Sequence, residues 1–256
     1  MAILFDEIVF GPILSRRYGN SLGINLLPLD NKICNYDCIY CECGWTNLKK
    51  QKISFTPYPS IRSAIEDRFA ALYHANVAID HITFAGNGEP TMHPDFANIV
   101  DLVHRYRDQY WPKVKTVVLS NGTLLSRPAI HQALQRIDRP TLKLDSANEH
   151  YYKLINKPFH TKSLSNYVQQ LAEFGNKLVI QAMFLKGNVN GEEIDNSTSK
   201  EVETWLNALE IIRPQSVVIY SLDRETPLSG LQKISAERLQ EISQSVECLG
   251  ISCQYY

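Results

Sequence analysis

The sequence has 256 residues, 44% hydrophobic and 21% charged, an ordinary globular composition with enough chain for one or two domains. Its 26 basic and 27 acidic residues leave a formal net charge of −1, so nucleic acid as a partner is disfavoured but not excluded. The start carries no basic leader, Asp6 and Glu7 interrupt its first apolar stretch, and no run approaches the roughly eighteen apolar residues of a membrane helix. A cytoplasmic protein without membrane contact is expected. In that compartment six cysteines are metal ligands or buried thiols rather than disulfides.

In chain order, residues 1–20 read as an N-terminal extension. Strands are then expected at Ser21–Leu27, His81–Ala85, Val114–Leu119, Thr141–Leu144, Leu178–Phe184 and Ser216–Tyr220. Helices are expected near Ser60–His74, Asp95–Arg107, Arg127–Gln135, Ser163–Phe174, Lys200–Ile212 and Ala236–Leu249, with a short last strand at Ile251–Tyr255. A strand followed by a helix, repeated about six times, argues for a parallel sheet with right-handed crossovers. Periodicity does not choose between an open sheet and a barrel. The polar residues favour the barrel, because Gly86-Asn87-Gly88-Glu89, Ser120-Asn121-Gly122, Asp145-Ser146 and Asp223-Arg224 all follow strands. The carboxyl ends of parallel strands form the active face, and a barrel lets such groups converge. The expectation is one α/β domain over residues 1–256, a partial (β/α)6 TIM-like barrel with its core at 21–222 and a C-terminal helix and strand at 223–256.

Between the first strand and first helix lies Cys34-Asn35-Tyr36-Asp37-Cys38-Ile39-Tyr40-Cys41-Glu42-Cys43. The spacing C-x3-C-x2-C presents three thiolates, which suits three irons of one [4Fe–4S] cube and leaves the fourth iron open for a ligand. A structural zinc on Cys34, Cys38, Cys41 and Cys43 is the alternative. Against it, Cys41 and Cys43 are separated by a single residue, and no second C-x2-C pair follows. Cys43 reads as a bystander thiol, and Cys248 and Cys253 as small buried hydrophobes. Gln181 and Met183 alternate along a strand and are weak interior candidates. Arg16, Arg17 and Arg224 suit an anionic group, with solvation as their ordinary role. The histidines show no metal-site spacing.

The cysteine spacing, with Tyr40 just before the last ligand, resembles the radical S-adenosylmethionine (radical SAM) superfamily. Flanking words continue the resemblance over nearly the whole chain: Gly11-Pro12-Ile13-Leu14-Ser15-Arg16-Arg17, Ser21-Leu22-Gly23-Ile24-Asn25, Gly86-Asn87-Gly88-Glu89-Pro90-Thr91, Leu142-Lys143-Leu144-Asp145 and Ile155-Asn156-Lys157-Pro158. They are similar to an iron–sulfur oxidoreductase branch related to the tRNA-wyosine synthases. The resemblance implies a [4Fe–4S] cluster on Cys34, Cys38 and Cys41 whose open iron chelates S-adenosylmethionine. An electron from an external reductant of flavodoxin or ferredoxin type would then release a 5′-deoxyadenosyl radical that takes hydrogen from an unidentified substrate. It also implies that Gly86, Asn87, Gly88 and Glu89 meet the methionine amino group, with Glu89 either accepting from that ammonium or bracing its loop. Ser120 and Asn121 would contact the methionine carboxylate or ribose, and Tyr40 would lie beside the adenine. Asp145 accepts a ribose hydroxyl or points at substrate.

Three other functions stay open: tRNA base modification of wyosine-synthase type, activation of a partner protein as glycyl-radical activases do, and a non-catalytic iron–sulfur or zinc module. Wyosine synthases carry a second cluster on cysteines before the motif, whereas no cysteine precedes Cys34 here. A single cluster and a substrate other than guanosine-modified tRNA are therefore expected.

Overall fold

A computed structural model describes residues 3–46, 54–160 and 163–256, so the first two residues of the expected extension lie outside the described residues. The chain forms two compact units: Leu4–Cys34 with Thr46–Pro140, here the first unit, and Met1–Ile3, Asn35–Trp45 and Thr141–Tyr256, the second.

The first unit opens on a hairpin that takes in most of the expected extension. Strands β1 (Val9–Ser15) and β2 (Gly19–Ile24) pair antiparallel, with a register shift between Phe10 and Ile13. Helix α1 (Tyr58–His74) leads to β3 (His81–Phe84), α2 (Phe96–Tyr110) to β4 (Lys115–Ser120), and α3 (Pro128–Arg136) follows. β2, β3 and β4 are parallel neighbours. Ile61, Ile65 and Phe69 of α1 and Ile99, Val100 and Val103 of α2 are all completely buried, at the i, i+3, i+4 spacing of a core-facing stripe. Ile82, Phe84, Val117 and Val118 supply the sheet side of the core.

In the second unit, β5 (Arg139–Lys143), which begins in the first unit, is followed by α4 (Glu149–Asn156) and α5 (Leu164–Ala172). β6 (Val179–Met183) then gives way to a hairpin, β7 (Leu185–Val189) and β8 (Glu192–Asp195), before α6 (Ser199–Ile212). β9 (Ser216–Tyr220), the short β10 (Gln232–Lys233), α7 (Ala236–Cys248) and β11 (Ser252–Tyr255) complete the chain. The strands run parallel in the order β5-β6-β9-β11, while β10-β7-β8 make a small antiparallel sheet. Every residue of β6 is buried, as expected of a parallel strand covered on both faces.

Local chemistry sets the helix starts. Thr198 accepts from the amide of Glu201, a capping-box spacing, while Asn148 caps α4 by accepting from His150 N and Ser235 caps α7 by accepting from Arg238 N. α6 inserts Trp205, only 1% exposed, whose indole Nε1 donates to Leu144 O at 2.8 Å while its ring meets Phe184 edge-on. That bond fixes the backbone one residue before Asp145. The expected repeat is thus present: β2, β3, β4, β5, β6 and β9 each lead into a helix. Among the described residues, no helix is long and apolar enough to cross a membrane.

Candidate functional site

In the first unit the segment after β3 is held by its glycines. Gly88 has φ +130°, and a Cβ there would sit 1.8 Å from Ile33 O; one on Gly86 would sit 2.3 Å from Asn25 Oδ1. The close approach permits an isolated bridge between Ile33 and Gly88. Ile33 N donates to Asn87 O at 2.9 Å and Glu89 N to Ile33 O at 2.9 Å, so the residue before Cys34 is gripped from both sides. The Asn87 side chain is occupied elsewhere: Nδ2 donates to Phe5 O and Pro28 O, and Oδ1 accepts from Phe5 N. Asn25, buried and not singled out in the sequence, accepts from Leu27 N and Asn87 N, and its Nδ2 has no partner among the described residues.

Glu89 is 2% exposed and acts as a brace. Oε1 accepts from Thr91 N at 3.1 Å, Thr91 Oγ1 at 2.5 Å and Ser120 Oγ at 2.7 Å, and Oε2 from Asn121 N at 2.7 Å. Burial pushes its carboxyl above the ordinary glutamate range, although these four hydrogen bonds pull it down. Asn121 in turn directs Nδ2 at Cys34 Sγ, 3.7 Å away. Because β3 and β4 are parallel neighbours, their carboxyl ends bring Glu89, Ser120 and Asn121 together as expected.

The second unit has its own buried carboxylate. The Asp145 side chain is fully buried. Oδ2 accepts from Tyr40 OH at 2.5 Å and from Asn156 Nδ2 at 2.6 Å, with Lys143 Nζ at 3.4 Å, and Oδ1 accepts from Met183 N at 2.9 Å. Lys143 also donates to Tyr40 OH, and its ammonium lies 4.7 Å from that ring's centroid. Burial opposes the Lys143 charge, but Asp145 outweighs it and the pKa is raised above the ordinary lysine value. Burial, then Asp145, keeps the Tyr40 phenol protonated. Asn156 Nδ2 is also 3.5 Å from Cys38 Sγ.

The end of α4 anchors the cysteine loop. Asp37 N donates to Asn156 O at 3.1 Å, Ile39 N to Ile155 O at 3.0 Å and Phe159 N to Asn35 O at 3.1 Å, and the hydroxyls of Tyr36 and Tyr152 meet at 2.5 Å. Lys143 and Asn156 are thus parts of the site that sequence reasoning missed. Both stand in words quoted for the resemblance, and the signal was a buried-strand lysine beside an aspartate and a polar residue ending a helix.

Other expectations fare differently. Gln181 and Met183 are buried. Arg224 pairs with Glu42 at 2.6 Å on the surface, and Arg16 and Arg17 sit at the turn of the β1–β2 hairpin. Cys248 is exposed rather than buried, because it ends α7 on the helix's outer face. Cys253 is half-buried, which pushes its thiol up to about 11. Among the described residues no three His, Cys, Asp or Glu side chains stand placed to hold a single metal ion. A cube gives each thiolate its own iron, so its ligands need not meet around one point.

The family model for the radical SAM superfamily matches residues 31–200. A Helicobacter pylori protein named UPF0026 protein is 31% identical over 249 residues, 96% of this chain and 75% of that protein. In fold, the chain is similar to a radical SAM methyltransferase from Sphaerobacter thermophilus, with a TM-score of 0.63 at 14% identity over 92% of this chain. It is equally similar to Streptococcus suis SuiB bound to S-adenosylmethionine, with a TM-score of 0.63 at 13% identity over 94% of this chain. The chain spans 65% and 52% of the lengths of those two solved proteins. Its α/β architecture is the partial barrel of these neighbours, and the matched segment contains the cysteine loop, both buried carboxylates and Asn156. This chain belongs to the radical SAM superfamily.

Proposed function

We propose that this chain, as one radical SAM domain, is an oxidoreductase-like enzyme that holds a [4Fe–4S] cluster on Cys34, Cys38 and Cys41 and binds S-adenosylmethionine at it. The observation that carries the reading is the anchoring of the cysteine loop. The glycine segment grips the residue before Cys34, and the end of α4 grips residues 37 and 39. The donor set fits the group: three thiols at the right spacing, with asparagine amides directed at two of them, which suits negatively charged thiolates. The bound groups would supply reductive cleavage of S-adenosylmethionine and radical abstraction of hydrogen from a substrate not yet identified.

The chain's own residues bind and orient. The close packing that Gly86 and Gly88 permit against Asn25 and Ile33 fixes the loop backbone that would meet the methionine amino group. Glu89 holds Ser120 and Asn121 in place for the polar end of S-adenosylmethionine. Asn87 and Glu89 act through the loop, since protein partners occupy most of their hydrogen-bonding capacity. Tyr40, fixed by Asp145 and Lys143, offers a rigid aromatic face for the adenine. An external one-electron donor of flavodoxin or ferredoxin type completes the reaction.

Anaerobic reconstitution followed by dithionite should yield 5′-deoxyadenosine from the intact chain. Cys34→Ala, Cys38→Ala and Cys41→Ala should each abolish it, whereas Cys43→Ala leaves it. Iron lost only with Cys43→Ala would show that the site was misassigned.

A further inference from the structure

Asn156 closes α4 and is 1% exposed. Its carboxamide nitrogen lies 2.6 Å from Asp145 Oδ2 and 3.5 Å from Cys38 Sγ. Chemistry fixes which way the amide points. A carboxylate oxygen only accepts, so the atom facing it is the nitrogen, and the second hydrogen of that nitrogen is the one available to sulfur. Asp145 has little freedom to move, because Met183 N holds Oδ1 while Tyr40 and Lys143 share Oδ2. The backbone carbonyl of Asn156 also receives Asp37 N, one residue before Cys38. Side chain and main chain therefore fix the donor and its acceptor relative to each other.

We infer that Asn156 is a positioning residue that sets the reduction potential of the cluster held by Cys38, by donating a hydrogen bond to its sulfur. The inference rests on the cluster reading above. Reduction adds one electron, from an external donor, and part of that charge falls on the thiolates. A donor pre-aimed in a buried, low-dielectric setting stabilises the reduced form more than the oxidised form and so raises the potential. Asn156 breaks no bond and transfers no proton. A purely structural role, satisfying Asp145 and ending α4, predicts no such shift.

The test is a potentiometric titration of the anaerobically reconstituted protein, followed by electron paramagnetic resonance, with iron and sulfide counted in each sample. Asn156→Leu should load its cluster yet hold roughly tenfold less of it reduced at equal poise, a shift of about 59 mV to more negative potential for one electron. Asn156→Asp keeps the shape, loses the donor and should move the same way. Asn156→Leu also removes a partner from Asp145, so a measurement that leaves Asn156 intact is needed. In an Asn121→Leu background with asparagine side chains labelled by nitrogen-15, the reduced cluster should show a nitrogen hyperfine coupling. Loaded variants with an unchanged potential, or an Asn121→Leu protein without that coupling, would overturn the inference. A wild-type chain that takes up no iron would bring down the cluster reading itself, which is a different failure.

Discussion

Glu89 and Asp145 make a natural pair for comparison. Each follows a parallel strand, each is 2% exposed, and each collects four donors. The donors differ in kind. Those on Glu89 are neutral amides and hydroxyls from Thr91, Ser120 and Asn121, so its charge is desolvated with no counter-ion among the described residues and its carboxyl is pushed up. Asp145 has Lys143, whose ammonium it holds charged against burial. A carboxylate among neutral donors is a brace that shapes a turn. One facing a buried cation also maintains a fixed field, here shared with Tyr40 and passed through Asn156 towards Cys38.

The comparison breaks most visibly at Asp145→Ala. Removing one member of a buried, hydrogen-bonded ion pair strands the other, a loss of about 3–5 kcal/mol. Urea unfolding should report that loss in the second unit's contribution to stability. A cost no larger than that of Glu89→Gln would show that Lys143 gives Asp145 nothing beyond a hydrogen bond.

Glu89→Gln should cost less, about 1–3 kcal/mol, because its amide places a donor against Asn121 N–H. Its pH behaviour sharpens the contrast. Burial raises the folded-state pKa of Glu89 above the unfolded value, so the native state holds the proton more tightly. That contribution is fully present below the unfolded pKa and is lost as pH rises through the raised folded pKa. Wild type should therefore lose stability with rising pH across that window, and Glu89→Gln should lack this slope. Equal slopes in the two proteins would refute the desolvation account.

Much of this contrast was hidden in the sequence. The six barrel strands were legible because apolar runs alternate with amphipathic stretches, and the cysteine, glycine and serine–asparagine words were legible because each marks the end of a strand. β1 was not, because residues 1–20 were read only as an extension, whereas the strand runs through Gly11 and Pro12 with a register shift. The β7–β8 hairpin carried an Asn190-Gly191 signal, and both residues adopt positive φ, as a two-residue hairpin turn requires. Lys143 and Asn156 were the larger omission. Their roles depend on meeting Tyr40 and Cys38 across more than a hundred residues, a register that no local pattern encodes. The sequence likewise matched Arg224 to an anion without revealing that Glu42 supplies it.

That last pair sets the small end of the scale. Arg224 Nη1 meets Glu42 Oε2 at 2.6 Å, but the side chains are 59% and 47% exposed. Water screens their attraction, and holding two long side chains together costs rotamer freedom, so exposed pairs of this kind contribute about 0–1 kcal/mol. Arg224→Ala should stay within that range by urea unfolding, and the difference should shrink further at high salt. Glu42 lies beside Cys41, so the substitution also asks whether a surface ion pair helps to hold the cysteine loop. The loop's anchors are backbone hydrogen bonds to the glycine segment, to the end of α4 and, at 3.2 Å, from Leu228 N to Ile39 O, none of which uses the Arg224 side chain. Iron uptake by Arg224→Ala should therefore equal that of the wild type. A variant that folds normally but loses iron would move the ion pair from the surface into the machinery of the site, and the division between charged and neutral bracing would need a third member.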